Sequence, residues 1–362
     1  MPYYQSKGTV PKKRHTVFKK RDGSLFYEEL ISREGFSHIY SNLYHLRMPT
    51  RVNKIGDFIP FTPKRSIGKH QARHIYTSNI KSSGDAISSR RLLLYNSDLN
   101  IIKAHSNSSM KFFYRNGHFD ELIYVQKGSG VLESNFGNLV FHDGDYIIIP
   151  RGVIWKIKIL TNCKFLIVES KGPIETPNKY RNRFGQLLEH SPYCERDIRV
   201  PQLEKPKDIK KDHLLILRLE NGLQEMVYGH HPFDVVGWDG YFFPWIFNIN
   251  DFEPIVGSLH QPPPVHQVFQ SSGYVVCSFV SRLFDFHPDA IPAPYPHSNV
   301  DSDEVIFYSK GDFMSRKGIK LESITYHPMG LPHGPQPGKY EDSIGKRKTD
   351  ELAVMIDTFK PL

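Results

Sequence analysis

From about residue 90 the chain is patterned in short apolar runs, rich in Ile, Val and aromatic residues and bounded by Gly, Asn and Pro. The clearest are Arg91-Leu-Leu-Leu-Tyr95, Glu121-Leu-Ile-Tyr-Val125, Gly144-Asp-Tyr-Ile-Ile-Ile149 and Lys164-Phe-Leu-Ile-Val-Glu169. β-Branched and aromatic side chains fit a pleated, partly buried surface, and turn residues at this spacing predict the strands of a sandwich or barrel. The first 80 residues read instead as an N-terminal arm, irregular apart from packed segments such as Leu25 to Tyr44. Residues 81–212 predict a first barrel and a connection, because Pro173, Pro177, Pro192, Pro201 and Pro206 and many charges break the pattern after about 171. A second β-rich region fills 213–362.

The two β-rich regions repeat each other. Asp120-Glu121-Leu-Ile-Tyr-Val-Gln-Lys-Gly128 aligns with Asp303-Glu304-Val-Ile-Phe-Tyr-Ser-Lys-Gly311, and Pro150-Arg-Gly152-Val-Ile-Trp155 aligns with Pro328-Met-Gly330-Leu-Pro-His333. Both matches fall in the same order at nearly one offset, which favours a duplicated domain over coincidence. The repeated segments resemble the two motifs of the cupin barrels. One is a His-x-His pair followed by a Glu and a Gly; the other is a Pro-x-Gly followed by a His. The later copy keeps His297, Glu304, Gly311, Pro328, Gly330 and His333, with Asn299 in place of the second histidine. The fold expected is therefore mainly β, two cupin-type β-barrels with the metal site only in the C-terminal barrel. Around Glu121 the histidine positions hold Tyr114 and Asn116, or Arg115 and Gly117 with the shorter spacer, and the last ligand position is Trp155.

Two imidazoles and one carboxylate on one face of a metal leave open positions opposite, which suits non-haem Fe(II) binding substrate and O2 together. Mn, Co and Zn accept the same mixed donors, and the lack of thiolates speaks against a structural zinc site. Taken singly, each of these residues reads as an ordinary surface or core side chain. Three correct types at the spacing of one motif pair read as a metal centre.

Composition sets limits around that reading. Of 362 residues, 39% are hydrophobic and 23% charged, which fits two globular domains and not a disordered chain. The net charge of +9 includes the clusters Lys12-Lys13-Arg14 and Lys19-Lys20-Arg21, but no nucleic-acid motif accompanies them. A solvated, mildly basic surface is the better reading, and it helps to draw in a small anionic substrate. Cys163, Cys194 and Cys277 are widely spaced and odd in number, against both a disulfide framework and a CxxC zinc site. The opening MPYYQSKGTVPKKRH has no apolar signal core, and no apolar run reaches membrane-spanning length. The expectation is a cytoplasmic protein without nucleic-acid or membrane partners.

With these residues in place, the chain resembles the homogentisate 1,2-dioxygenases over nearly its whole length. The resemblance rests on His231-Pro-Phe-Asp-Val-Val-Gly-Trp238-Asp239-Gly240, Tyr295-Pro-His297-Ser-Asn299, Glu304 with its hydrophobic strand, and His327 with His333-Gly-Pro335. Tyr27-Glu-Glu-Leu-Ile-Ser-Arg-Glu-Gly-Phe-Ser-His-Ile-Tyr also looks like the family's amino-terminal region. The resemblance implies an Fe(II) enzyme that oxidises homogentisate with O2 to maleylacetoacetate, in tyrosine and phenylalanine breakdown, assembled as a homotrimer or homohexamer. It implies His297, Glu304 and His333 as iron ligands, with His327 hydrogen-bonding the substrate phenol and Tyr295 lining the pocket beside His333. Three positions depart from many members. The Trp-His-Gly triplet of an acid/base histidine reads Trp238-Asp239-Gly240 here, so the role falls to Asp239, if burial raises its pKa, or to His260 or His266. Phe313 stands where a substrate-contacting tyrosine is common. The spacer between Asn299 and Glu304 is one residue longer. Two competing readings follow: an iron dioxygenase of another dihydroxylated aromatic acid such as gentisate, and a non-catalytic bicupin that binds a ligand.

Overall fold

A computed structural model of the chain describes residues 3–65, 68–258, 260–311, 313 and 318–362. The architecture is mainly β, as the apolar runs predict. The four runs quoted above form the strands Arg90–Tyr95, Asp120–Lys127, Asp145–Ile149 and Cys163–Ser170, which share a seven-stranded sheet with Leu99–Ser106, Trp245–Asn248 and Ile198–Arg199. Leu99–Ser106 and Asp145–Ile149 are buried at every position. A strand covered on both faces can carry apolar side chains on both, which is why Tyr146-Ile-Ile-Ile149 does not alternate, whereas Leu99–Ser106 also buries Asn100, Lys103, His105 and Ser106. On one face, Tyr124 packs edge-on against Phe307 and Tyr146 against Phe269 of the C-terminal sheet. Their hydroxyls meet those of Ser309 and Ser278 at 2.7 and 2.9 Å. On the other face, Phe165 packs against Phe141 of a second seven-stranded sheet.

That second sheet runs Gly137–Phe141, Gly130–Ser134, Ile154–Ile159, Phe113–Asn116, His213–Leu219, Gly222–Tyr228, Val52–Pro60. By hydrogen bonding, then, the strands between 213 and 228 belong with the first unit. The C-terminal sheet runs Gln267–Ser271, Tyr274–Phe279, Leu352–Thr358, Glu304–Lys310, Ser323–His327, Arg73–Tyr76. Among the described residues no helix is long and apolar enough to cross a membrane.

The first 80 residues contribute more order than their pattern predicts. Gln5–Gly8, Tyr27–Ser32 and Tyr40–His45 form a four-stranded sheet with Val235–Gly240, while Val52–Pro60 and Arg73–Tyr76 each extend the edge of a larger sheet. Gln5–Gly8, Val52–Pro60 and Arg73–Tyr76 find their partners far along the chain, so local pattern does not reveal their pairing, whereas Tyr27–Ser32 and Tyr40–His45 pair with each other across the segment Leu25 to Tyr44 that reads as packed. The segment His231-Pro-Phe-Asp-Val-Val-Gly-Trp238 fastens this region down. Trp238 is fully buried and donates its indole N–H to the Phe136 carbonyl at 2.8 Å. Asp234 accepts from the Arg47 backbone N–H at 2.9 Å and lies 2.7 Å from His45 Nδ1, while His45 Nε2 lies 3.0 Å from Glu29.

Burial works against a charged His45, but the two carboxylates outweigh it and hold its pKa up at about 9. Because the folded value lies above the unfolded one, the stabilisation is complete below about pH 6.5 and disappears as pH rises through about 9. The melting temperature is expected to fall by several degrees between those limits. His45→Gln should start lower at pH 6.5 and show a flatter profile; thermal melts across the interval check this.

Candidate metal centre

Glu304 opens a strand held between two neighbours, with His327 as its register partner on one side and Asp357 on the other. His297 and His333 lie outside the named strands but form an antiparallel bridge, each N–H donating to the other's carbonyl at 2.8 Å. That bridge brings together two rings distant in sequence. His297 Nδ1 lies 3.2 Å from the Tyr295 carbonyl and His333 Nδ1 lies 3.0 Å from the Leu331 carbonyl. A carbonyl only accepts, so the proton sits on Nδ1 and the lone pair on Nε2. Both Nε2 atoms face Glu304, each 3.8 Å from a carboxylate oxygen, and the three donor atoms lie within 4.8 Å of one another.

The cluster has the electrostatics of a cation site. Nε2 of His333 is buried with no hydrogen-bond partner, a costly arrangement that a metal ion resolves. Burial would raise the Glu304 carboxyl, but its contacts with His297, His327 and His333 hold it well below the usual carboxylate range. His297 is raised, chiefly by its contact with Glu304. His327 stands behind the donors. Its Nδ1 lies 2.6 Å from Glu304 Oε1 and its ring stacks on His333, centroids 4.8 Å apart. Supports of this kind orient metal ligands and tune their basicity. The donor set fits a divalent transition metal.

The front of the cluster opens onto a cavity of about 620 Å³. Tyr295, His260 and Phe313 line it, as do His297, Glu304 and His333. His260 Nε2 reaches the half-exposed Tyr295 hydroxyl at 3.2 Å, and the two rings stack. Phe313 is buried against Tyr308. His266 also lines the cavity; burial first, and Arg282 second, push it well below its ordinary value, which keeps it neutral. His327 is not among the residues lining the cavity, but it contacts Glu304 and His333, which are.

Asp239 lies elsewhere. It sits in the strand Val235–Gly240, between Gln5–Gly8 and Tyr40–His45, and accepts a hydrogen bond from the Tyr4 hydroxyl at 2.8 Å. Among the described residues none of that sheet lines the cavity, so Asp239 does not reach it within one chain. The Trp-Asp-Gly triplet owes its place here to the packing of Trp238.

Two cavity residues escape a reading of motifs. Asp357 lies opposite Glu304 with Oδ1 buried and unpartnered, and burial together with Glu304 pushes its carboxyl up to about 7. Arg282 lies toward the other end. The available signal was a charged residue on an otherwise apolar inward row, Ala353, Met355, Asp357.

The earlier copy repeats the backbone of the site without its chemistry. Tyr114 pairs with Trp155 as His297 pairs with His333. The Gly152 N–H donates to the Asn116 carbonyl at 2.8 Å, as that of Gly330 does to Asn299 at 2.6 Å. Asp120 accepts from the Arg151 N–H at 3.2 Å, as Asp303 does from Met329 at 2.7 Å. These bonds make Tyr114 and Asn116, not Arg115 and Gly117, the counterparts of His297 and Asn299. Where the later copy gathers donors, Arg90 extends its guanidinium to Glu121 at 2.8 and 3.2 Å and to Glu169 at 3.1 Å. Tyr114 and Asn116 donate to the same Glu121 oxygen at 3.2 and 2.8 Å. An organic cation satisfies the glutamate there.

The fold and the three donors define a mainly β, cupin-type protein with a candidate mononuclear metal centre. A family model described as homogentisate 1,2-dioxygenase N-terminal matches residues 79–249, ahead of that centre. A protein of Saccharolobus solfataricus with a provisional dioxygenase designation is 44% identical over 368 residues, covering 99% of this chain and 94% of that one. The homogentisate 1,2-dioxygenase of Legionella pneumophila is 25% identical over 276 residues, covering 72% of this chain; the match spans only 65% of that enzyme. Among solved structures, a cupin 2 conserved barrel domain protein from Leptotrichia buccalis aligns over 80% of this chain and 96% of that one, at 11% identity and a TM-score of 0.39. The chain belongs to the homogentisate 1,2-dioxygenase family.

Proposed function

We propose that the chain is an Fe(II)-dependent ring-cleaving dioxygenase that converts homogentisate and O2 to maleylacetoacetate. The observation that carries this reading is the cluster of His297, Glu304 and His333 at the wall of a cavity large enough for an aromatic acid. His297 Nε2, a Glu304 oxygen and His333 Nε2 would hold the iron, which supplies a Lewis acid for the phenolate and electron coupling between ring and O2. The chain supplies the rest. Phe279, Ile306 and Met355 offer an apolar wall to the ring and keep water from it. His327 is a positioning residue that fixes the Glu304 carboxylate and the His333 ring. His260, at the cavity wall with Tyr295, is the acid/base residue of this reading in place of the distant Asp239.

O2 uptake by the iron-loaded protein tests the proposal. Homogentisate should be consumed one-to-one with O2, with kcat/KM about tenfold or more above that for gentisate, whose carboxyl is attached differently to the ring. Equal or better turnover of gentisate overturns the substrate assignment. Iron binding without O2 uptake on either acid overturns the enzymatic reading in favour of a binding module.

A further inference from the structure

We infer that Arg282 receives the carboxylate of the substrate, so that the cavity holds an aromatic acid stretched between the metal centre and a guanidinium, with Glu351 tuning its affinity. The identity of the acid rests on the dioxygenase reading above; the charge recognition does not.

The fixed charges on the cavity wall are unequal. Asp285, Glu304, Glu351 and Asp357 line it, against a single arginine or lysine among the described lining residues, Arg282. An entering anion therefore has one fixed cationic partner away from the metal. The Arg282 side chain is only 10% exposed. Its Nη1 donates to Glu351 Oε1 and to the Val280 carbonyl, both at 3.0 Å, while Nε is buried without a partner. A buried guanidinium N–H left unbonded is costly, and a carboxylate is the acceptor that matches the planar fork. The head group is also held in place, with Cζ 5.7 Å from the Phe279 ring and 5.8 Å from the Phe284 ring.

The spacing suits an aromatic ring with a short acid arm. Residues Ala353, Met355 and Asp357 form an inward row on one strand; Asp357 pairs with Glu304 at the metal end, and Ala353 pairs with Phe279, against which the guanidinium packs. Four residues of strand separate those levels, about 13 Å at a rise of about 3.3 Å each. A metal–oxygen bond of about 2 Å and a charge-assisted hydrogen bond of about 2.8 Å leave roughly 8 Å for the ligand. Ile306 and Met355 give the intervening wall its apolar character.

Glu351 competes with a ligand for the same cation, which makes the two residues opposite levers. Calorimetric titration of the anaerobic, iron-loaded protein with homogentisate and with methylhydroquinone, its analogue without a carboxylate, tests the inference. Arg282→Gln should weaken homogentisate about tenfold or more and leave methylhydroquinone within about twofold, as expected for loss of a desolvated charge pair. Glu351→Gln should tighten homogentisate severalfold without affecting methylhydroquinone. Equal weakening of both ligands by Arg282→Gln, or none, overturns the assignment. If that variant does not fold, Glu351→Gln decides, and an unchanged or weakened homogentisate affinity overturns it. Arginine-dependent binding without O2 uptake would sink the dioxygenase reading alone, and turnover with unchanged affinity in Arg282→Gln would sink this inference alone.

Discussion

His333→Ala protein is expected to leave iron reconstitution with close to background metal content and to lose O2 uptake by about three orders of magnitude or more, whereas loss of a supporting residue typically costs only 10–100-fold. The imidazole removed is one of three donors, and its Nε2 is the buried atom with no other partner. Two donors on one face, one of them already bonded to His327, do not hold a divalent ion against water. The backbone bridge to His297 uses main-chain atoms and survives the substitution, so the fold should persist in circular dichroism. His327→Ala separates the two kinds of role. It keeps all three donors but loses the 2.6 Å contact to Glu304, and should show the smaller penalty. Stoichiometric iron and full activity in His333→Ala would place the metal elsewhere.

The second large effect lies at the earlier copy of the motif, around Glu121. Arg90→Met is expected to destabilise the protein by about 3–5 kcal/mol, because it removes a guanidinium shared by two interior carboxylates and leaves one of them without a cation. Glu121 and Glu169 are both essentially fully buried, and the guanidinium contacts both. Arg218 still reaches Glu169 at 3.1 Å, so the uncompensated charge falls mainly on Glu121. Adding Glu121→Gln to Arg90→Met should therefore recover part of the loss, a coupling that a double-mutant cycle in urea measures directly. A cost for Arg90→Met below about 1 kcal/mol would mean that water or another cation reaches Glu121, contrary to the burial described here.

The two copies of the motif show what a sequence discloses and what it withholds. His297, Glu304 and His333 were legible because metal donors come from few residue types and the spacing of a hairpin and its facing segment is fixed by the backbone. The central strands were legible because their apolar runs are buried on both faces. Arg90 was not, since it lies well ahead of the motif and reaches Glu121 only through pairing of its strand with Leu99–Ser106. Arg282 and Asp357 depend on which side of a strand faces the cavity, a matter of register that single residues do not carry. Asp239 illustrates the converse. Its neighbours in sequence point to catalysis, while the sheet it occupies points it at Tyr4. Val52–Pro60 and Arg73–Tyr76 exist because larger sheets offer them edges, and no local pattern announces an edge.

Iron-edge anomalous diffraction from crystals soaked anaerobically in Fe(II) locates the metal directly. One peak is expected, within bonding distance of His297 Nε2, a Glu304 oxygen and His333 Nε2, and none beside Glu121, where Arg90 already occupies the cation's place. Iron absent from the triad, or bound at Glu121 instead, would contradict the proposed centre.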